Sequence, residues 1–261
     1  MTWLEALILG LVQGLTEFLP VSSSGHLEIG KALLNIEVKE SLSFTVMVHF
    51  ATVLSTISVF FQDIRKLFTG LFQFKWNEET RYLFKILISM IPVLLVGFLF
   101  REEVEWFYSG NLKLVGYALM VTALLLISTL MVKPGKKKIS ISDAFLMGIA
   151  QAFAMIPGIS RSGATISTGL LLKNGKQNVA KFSFLMVLLP IIGGAFLDIL
   201  SISSTTAEAD ISAGSLLIGF LAAYLSGYMA CRWMINLVKK GNLFWFALYC
   251  AVVGVISINF A

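Results

Sequence analysis

Apolar residues recur along this chain in separate runs of about 20, the number that a helix needs to cross roughly 30 Å of hydrocarbon. Charged and polar residues separate these runs. The pattern predicts six membrane-crossing helices, at about residues 42–61, 82–100, 112–132, 180–200, 215–237 and 243–258. It also predicts a mixed-charge loop at 63–81, an acidic loop at 101–109 and a basic loop at 133–138.

Two further apolar segments are interrupted by proline, serine and glycine. The first runs from about Trp3 to Leu19, breaks at residues 20–26 and resumes helical spacing to about Leu34. The second covers about 142–173, where Pro157 ends one helix before another starts. Irregular backbone at membrane depth is tolerated only where it is buried in protein or lines a watery cavity. We therefore predict two re-entrant helix-loop-helix segments.

The two halves of the chain share a pattern at an offset of about 138 residues. Gly10-x-x-Gln13 recurs as Gly148-x-x-Gln151, Ser-Ser-Ser-Gly at 22–25 recurs as Ser-Arg-Ser-Gly at 160–163, and Gly-Asn-Leu at 110–112 recurs at 241–243. Each half holds an odd number of crossings, so the second half must insert upside down. The predicted fold is an all-α polytopic membrane protein, one integral membrane domain with a first repeat at 1–135 and an inverted second repeat at 136–261.

The overall composition excludes a soluble domain. The 261 residues are 57% hydrophobic and 13% charged, with a mean hydropathy of +0.85. The net charge of +5 does not indicate nucleic-acid binding, because the lysines stand at the ends of predicted spans. Cys231 and Cys250 lie in apolar runs without metal-like spacing, and we expect both to be buried, unreactive thiols.

The basic residues fall mainly on one side of the predicted spans. By the positive-inside rule that side is cytoplasmic, which places both termini and the first re-entrant segment on the outer side. The cytoplasmic set is Arg65, Lys66, Lys75, Arg81, Lys85, Lys133, Lys136, Lys137, Lys138, Lys173, Lys176, Lys181, Arg232, Lys239 and Lys240, against Lys31, Lys39, Arg101 and Lys113 opposite.

Arg161 stands between two serines in the glycine-flanked break of the second segment. A charge at membrane depth is costly and usually marks a functional site. Backbone donors, a helix N-terminus and a guanidinium fork together form an anion site. Gln13 and Glu17 are four residues apart, so they share a helical face that leads into the serine loop. The two breaks should bring together Gln13, Glu17, Ser22, Ser23, Ser24, His26, Ser160, Arg161, Ser162 and Thr165.

Each of these residue types also has a structural interpretation. Glu17 could be a carboxylate at a water-exposed helix end, and Arg161 could form a structural ion pair with it. His26 could be a satisfied buried histidine, and the run Ser22 to Ser24 could cap a helix. We interpret His49, inside a predicted span, as a satisfied intramembrane histidine and not as a catalyst.

Two long motifs carry a resemblance to a known family. They are Gln-Gly-Leu-Thr-Glu-Phe-Leu-Pro-Val-Ser-Ser-Ser-Gly-His at 13–26 and Pro-Gly-Ile-Ser-Arg-Ser-Gly-Ala-Thr at 157–165. Both resemble the signature motifs of bacterial undecaprenyl-diphosphate phosphatases of the bacitracin-resistance type. The resemblance implies hydrolysis of undecaprenyl diphosphate to the monophosphate carrier of peptidoglycan synthesis, at the outer face of the bacterial plasma (inner) membrane. It also implies a divalent cation, Mg²⁺ or Ca²⁺, held by Glu17 and by Gln13, the neutral variant at the first position of the family's Glu/Gln-x-x-x-Glu motif.

The chemistry of a diphosphate assigns roles to the candidate residues. Cleavage needs charge stabilisation, a nucleophile and a proton donor for the leaving phosphate. We expect Ser23, His26, Glu17 and Arg161 to be catalytic, and substrate binding to involve Ser22, Ser24, Gly158, Ser160, Ser162 and Thr165. Either Ser23 or Ser22 could attack with His26 as the base, or His26 itself could attack.

A transporter or flippase of a phosphorylated polyprenyl lipid is the rival class, because inverted repeats with paired broken helices are typical of alternating access. A carrier needs the anion site but neither a nucleophile nor a base, so the serine, histidine and glutamate cluster favours an enzyme. A structural protein would leave Arg161 unexplained. The sequence does not decide the oligomeric state, and a homodimer is compatible with it.

Overall fold

The computed structural model describes residues 1–34, 36, 38–107, 110–133, 135–204, 211–240 and 243–260, without the side chains of 38–43, 101, 104, 105, 194–204 and 260. Helices account for 82% of the residues that the structure describes. Its helices are α1 Trp3–Phe18, α2 Ser23–Leu33, α3 Val38–Val59, α4 Phe61–Leu71, α5 Glu78–Leu99, α6 Arg101–Phe107, α7 Leu112–Ser128, α8 Ile141–Phe153, α9 Arg161–Leu171, α10 Lys176–Ser204, α11 Ala213–Lys240 and α12 Phe244–Phe260.

Three helices in the described part of the chain are long and apolar enough to cross a membrane: α5, α11, and α7 with the 3₁₀ turn that follows it. A fourth crossing is obtained if α3 and α4, which meet at a 75° bend, count as one span. The chain is therefore an all-α, multi-pass membrane protein. Of the other two predicted spans, 243–258 forms the 17-residue α12, and 180–200 lies within the 29-residue α10, whose side chains beyond 193 are outside the described set.

Both interrupted segments form two short helices around a non-helical break. In the first, Pro20 follows α1, and α2 begins at Ser23 with Ser22 as its N-cap. In the second, α8 ends at Phe153 and α9 begins at Arg161 with Ser160 as its N-cap. The second break, at 154–160, surrounds Pro157 as the sequence predicts. The first, at 19–22, is shorter than the predicted break at 20–26, because Ser22 caps a helix that already begins at Ser23. The serine and arginine motifs therefore lie in the first turns of α2 and α9.

Two of the predicted loops are partly helical, and those predictions are wrong. The mixed-charge region begins with α4, and the acidic region contains α6. In α4 the apolar residues Ile64, Leu67 and Phe68 alternate with Arg65 and Lys66 at helical spacing. Apolar and charged residues on opposite faces are typical of an amphipathic helix, which forms without being apolar enough to cross a membrane by itself.

Small residues allow the short helices to approach their neighbours closely. α1 packs against α11, where a Cβ on Gly10 would collide with the carbonyl oxygen of Gly219. α8 packs against α5, where a Cβ on Gly148 would collide with the carbonyl oxygen of Ser89. Close approach through small residues is the usual mode of helix packing within membranes. These contacts hold the two broken segments inside the bundle.

Candidate active site

The two breaks are joined directly by hydrogen bonds. Gly158 donates its backbone N–H to Ser22 Oγ over 3.1 Å, and Ser162 Oγ donates to the carbonyl oxygen of Leu19 over 3.1 Å. Ser22 and Gly158 both have left-handed backbone conformations, with φ of +71° and +100°. The first turn of α2 and the first turn of α9 therefore lie next to each other, as the sequence predicts for the two motifs.

Thr122 on α7 stabilises the second break through two hydrogen bonds to its backbone. Its hydroxyl donates to the carbonyl oxygen of Gly158 over 2.9 Å and accepts from the backbone N–H of Ser160 over 3.0 Å. Because it is completely buried, this single side chain satisfies two backbone groups that water cannot reach. α7 thereby fixes the path of the chain that leads into Arg161.

Glu17, at the end of α1, is the centre of the polar cluster. Its Oε2 accepts from Ser23 Oγ at 2.5 Å and from Gln13 Nε2 at 2.9 Å, and its Oε1 accepts from Arg161 Nη2 at 3.1 Å. The Glu17 side chain is only 5% exposed. A carboxylate this buried needs a charged partner and hydrogen bonds to stay ionised. The interpretation of Glu17 as a water-exposed carboxylate is therefore wrong.

Arg161 keeps part of its guanidinium group accessible. Its side chain is 27% exposed, and a guanidinium has five N–H donors, of which one nitrogen is committed to Glu17. A cavity opens beside this ion pair. The pair lines it together with Phe18 of α1 and Ser162 of α9. The other lining residues are Thr52 and Thr56 of α3 and the apolar Phe184, Val187, Leu188 and Ile191 of α10.

The starts of α2 and α9 supply backbone donors at the same place. The first N–H groups of a helix have no partner within the helix. Ser22 Oγ caps Gly25 N at 3.3 Å and Ser160 Oγ caps Gly163 N at 3.0 Å, which leaves the earlier N–H groups of each first turn to be satisfied by other partners. Two helix N-termini and a guanidinium together provide a strong site for a phosphate group.

The remaining predicted serines and Thr165 have mainly structural contacts. Ser24 Oγ lies 3.4 Å from Ser22 Oγ, and Ser160 Oγ lies 3.2 Å from Ser162 Oγ. Thr165 Oγ1 donates to the carbonyl oxygen of Arg161 over 2.8 Å and lies 2.6 Å from Ser183 Oγ. Thr165 thus ties the first turn of α9 to α10.

The two histidines occupy different surroundings. His26 Nδ1 lies 2.8 Å from the carbonyl oxygen of Ser22, and its Nε2 lies 2.8 Å from Tyr249 Oη. Among the hydrogen bonds of the described residues, none joins His26 to Ser23. His49 Nδ1 lies 2.8 Å from the carbonyl oxygen of Thr45, and the imidazole is close enough to Glu17 and Arg161 to interact with their charges.

Sequence reasoning missed Tyr249, Thr122 and the two threonines of the cavity, Thr52 and Thr56. They lie on α12, α7 and α3, far in sequence from both motifs, and each is an ordinary residue for a membrane helix. A buried hydroxyl in an apolar run is the one signal that could have identified Thr122. Tyr249 carries no such signal.

The cluster fits a divalent cation that is shared with a substrate. Gln13 Oε1 is buried and lacks a hydrogen-bond partner, while its Nε2 is bound to Glu17. Hard cations take carboxylate and amide oxygens, and Mg²⁺ is commonly held by one or two carboxylates plus substrate phosphates. In the described part of the chain, no group of three or more His, Cys, Asp or Glu side chains could enclose an ion. A cation at Glu17 and Gln13 would therefore need phosphate oxygens to complete its shell.

Comparison with known proteins gives a consistent result over nearly the whole chain. A family model described as bacitracin resistance protein BacA matches residues 6–256. An undecaprenyl-diphosphatase of Bacteroides fragilis is 55% identical over 260 residues, covering 99% of this chain and 98% of the relative. An undecaprenyl-diphosphatase of Parabacteroides distasonis is 54% identical with the same coverage, and undecaprenyl-diphosphatase 2 of Bacillus thuringiensis is 36% identical, covering 98% and 97%.

Proposed function

This chain belongs to the bacitracin resistance protein BacA family, and we propose that it is a membrane phosphatase that hydrolyses undecaprenyl diphosphate to undecaprenyl phosphate and inorganic phosphate. The family predicted from the two motifs is confirmed. The reaction recycles the lipid carrier of peptidoglycan synthesis and confers resistance to bacitracin. One observation carries the chemistry: Ser23 Oγ donates to Glu17 Oε2 at 2.5 Å, and Glu17 is paired with Arg161.

Ser23 is the nucleophile in this proposal, and Glu17 is its base. Ser23 Oγ attacks the terminal phosphorus, the bond from phosphorus to the bridging oxygen breaks, and the hydroxyl proton passes to Glu17. Undecaprenyl phosphate leaves, and water then hydrolyses the phosphoserine. Ser22 is less suitable as the nucleophile, because its Oγ accepts from both Gly25 N and Gly158 N and is committed to joining the two breaks.

Arg161 and the two helix starts bind the transferred phosphoryl group. Phosphoryl transfer depends mainly on positioning and on stabilising charge over the equatorial oxygens. The guanidinium donors not bound to Glu17, with the first-turn N–H groups of Ser23, Ser24 and Ser162, are suitably grouped for those oxygens. Glu17 and Gln13 would hold a divalent cation, Mg²⁺ or Ca²⁺, which supplies additional neutralisation of the diphosphate when bound.

His26 is assigned to proton transfer, at the leaving oxygen or at the hydrolytic water, and not to the activation of Ser23. Ser162 lines the cavity beside the ion pair, which supports its role in binding, and Ser160 Oγ lies 3.2 Å from Ser162 Oγ. Ser24 is assigned to binding from its place in the first turn of α2. The fixed path at Gly158 and the anchoring of α9 by Thr165 orient these donors. The proposal thus keeps the predicted site residues but transfers the role of base from His26 to Glu17.

The cavity beside the ion pair suits an amphipathic lipid. One end is formed by Glu17 and Arg161, and the wall from α10 is apolar, with Phe184, Val187 and Leu188. A phosphorylated head can meet the charges while the first isoprene units contact that wall. The substrate is the one partner that we propose; a homodimer remains a prediction from the sequence.

For the fold we propose six crossings and two re-entrant segments, built from inverted repeats at 1–135 and 136–261. Matched features at the offset of the sequence repeat support this arrangement. α1 and α8 both begin with a capping box, at Thr2 with Glu5 and at Ser140 with Asp143. Packing is reciprocal between the halves, since α1 contacts α11, α8 contacts α5, and α7 contacts α12.

The active site is proposed to open to the outer face of the plasma membrane. Contacts group the loops on two sides: Lys138 pairs with Glu78 and Lys181 with Asp63 on the lysine-rich side. On the other side, Ser215 Oγ donates to the carbonyl oxygen of Met1 over 3.5 Å. The positive-inside rule makes the lysine-rich side cytoplasmic. α1 and α2 then enter from outside and carry the serine loop to the substrate.

The decisive experiment is a single turnover with undecaprenyl diphosphate in detergent, quenched rapidly. Inorganic phosphate and undecaprenyl phosphate should form in equal amounts, and mass spectrometry should find a transient phosphoryl group on Ser23. Ser58→Ala is a suitable control, because Ser58 hydrogen-bonds Tyr224 away from the site. Absence of phosphate release would refute the proposed function, while a phosphoryl group on His26 would refute only the choice of nucleophile.

A further inference from the structure

Tyr249 on α12 contacts His26 on α2 through a hydrogen bond and through nearly parallel rings. The Oη to Nε2 distance is 2.8 Å, the ring centroids are 5.5 Å apart and the ring planes differ by 12°. The oxygen to nitrogen distance is that of a hydrogen bond, so the hydroxyl and Nε2 are direct partners.

The other nitrogen of His26 determines the tautomer. Nδ1 lies 2.8 Å from the carbonyl oxygen of Ser22, and a carbonyl oxygen can only accept a hydrogen bond. Nδ1 must therefore carry a proton. In the neutral ring Nε2 is then the basic nitrogen, and it accepts a hydrogen bond from the Tyr249 hydroxyl.

The residue after Tyr249 holds the other end of the same loop. Cys250 donates its thiol to the carbonyl oxygen of Pro20 over 3.6 Å. Two successive residues of α12 thus contact Pro20 and His26, on either side of Ser23. Cys250 is fully buried, whereas Tyr249 is 44% exposed at the surface of the protein.

We infer that Tyr249 is a positioning residue for His26: the Ser22 carbonyl fixes the Nδ1–H tautomer, and the Tyr249 hydroxyl hydrogen-bonds the basic Nε2 and holds the imidazole in its orientation. The second motif does not supply this contact. The inference rests on the proposed phosphatase function only for its consequence on turnover, since the tautomer is a property of the resting protein.

Nitrogen-15 NMR of protein labelled at histidine tests the tautomer directly. The chain has only two histidines, and His49→Gln assigns the signals. Wild-type His26 should show a protonated Nδ1 and an unprotonated, hydrogen-bonded Nε2. Tyr249→Phe should move the Nε2 signal, because the donor is lost. Tyr224→Phe, which removes a hydroxyl bound to Ser58 at 3.0 Å, should leave it in place.

Kinetics in the same variants test the consequence. Tyr249→Phe should lower kcat on the order of tenfold, a fraction of the 10²–10⁴ that a positioned acid or base contributes, with KM nearly unchanged. Tyr224→Phe should retain wild-type kcat. His26 signals that are unchanged in Tyr249→Phe would overturn the inference, and so would moved signals with wild-type kcat. A wild-type protein without phosphatase activity would count against the proposed function, and the NMR result would still decide the tautomer.

Discussion

Ser22 and Gly158 join the two broken segments through one hydrogen bond, from the Gly158 N–H to Ser22 Oγ at 3.1 Å, and both residues have positive φ. A residue with a side chain in that conformation costs of order 1–3 kcal/mol and persists only where its surroundings fix it. This hydrogen bond fixes the distance between the N-terminal ends of α2 and α9. It therefore also sets the spacing between Ser23 and Arg161, on which the proposed chemistry depends.

Replacing Gly158 with alanine should destabilise the protein. Its φ is +100°, and a Cβ would lie 2.5 Å from the carbonyl oxygen of Val115 and 2.6 Å from the Cβ of Ala118. Strain and overpacking together cost roughly 2–6 kcal/mol. Thermal unfolding in detergent should show a clearly lower Tm. Gly193→Ala is the matched control, because a Cβ there meets no atom within 4 Å, and its Tm should equal or exceed that of the wild type. Equal Tm values in the two variants would contradict the fixed spacing.

The sequence predicts an all-helical, multi-pass membrane protein because the signals for helices and spans are local. A break in an apolar run, a proline or a serine cap is visible within a few residues. The break around Pro157 occurs where it is expected, whereas the first is shorter than predicted because α2 begins at Ser23. The sequence did not predict α4 because charged residues interrupt its apolar positions. Its apolar residues Ile64 and Leu67 pack against the core, with the axis of α4 at 75° to that of α3. Length alone does not separate a loop from a helix along the surface.

The site is predictable only as far as its motifs extend. The two motifs bring Glu17, Ser23 and Arg161 together as expected. The hydrogen-bond partner of Ser23 depends on the angle between α1 and α2, and sequence spacing does not give that angle. In the structure Ser23 donates to Glu17. Tyr249 is 223 positions from His26, so nothing local could reveal the contact.

Arg161→Lys should be nearly as damaging as Arg161→Ala. An ammonium is a point charge and cannot contact Glu17 and a phosphate with a planar fork. Removing one such transition-state contact costs on the order of 10²–10³ in kcat. Phosphate release in single turnover measures the loss. Near-normal kcat in the lysine variant would mean that Arg161 serves only to neutralise Glu17.

Ser23 and Glu17 should behave as one unit. Glu17→Gln should lower kcat on the order of 10²–10⁴ because the base is lost, and Ser23→Ala should remove nearly all turnover. The double variant should be hardly worse than Ser23→Ala, since residues that act together give strongly non-additive losses. Independent, multiplicative losses would instead indicate that Glu17 acts through Arg161 or through a cation and not on Ser23.

Asp143 should make the stability depend on pH. Burial raises the pKa of its carboxyl, but hydrogen bonds from Lys137 and Ser140 outweigh this and hold the pKa below its ordinary value. The folded state therefore gains stability above the ordinary pKa, about 4, and loses it as the pH falls through the lowered pKa. Asp143→Asn should reduce the free energy of unfolding by about 1–2 kcal/mol at pH 7, a loss typical of a helix cap.

That difference between wild type and Asp143→Asn should shrink as the pH falls below about 4. Glu78→Gln is the control, because Glu78 and Lys138 are both more than 80% exposed and such pairs contribute little. Its Tm should match that of the wild type at every pH. A pH-independent difference for Asp143→Asn would show that the carboxylate charge does not stabilise the start of α8.

The topology can be tested with single cysteines in a background where the buried Cys231 and Cys250 are replaced by alanine. Cysteines at Glu102 and Gly214 should react with an impermeant maleimide added to intact cells, because both positions are exposed and follow the outer ends of α5 and α10. Cysteines at Lys75 and Lys136 should react only after the cells are opened. A Cβ at Gly214 meets no atom closer than 3.9 Å, so that substitution does not disturb the fold.

The same experiment decides on which side the substrate enters. A cysteine at Ser24 should react from outside, and a non-hydrolysable diphosphate lipid should protect it, since α1 and α2 carry the serine loop inward from the outer face. If the cysteine at Lys136 reacted in intact cells and the cysteine at Glu102 did not, the protein would have the opposite orientation in the membrane. The lysine-rich side would then face outward against the positive-inside rule, and the site would open to the cytoplasm, where it could not recycle carrier released at the outer leaflet.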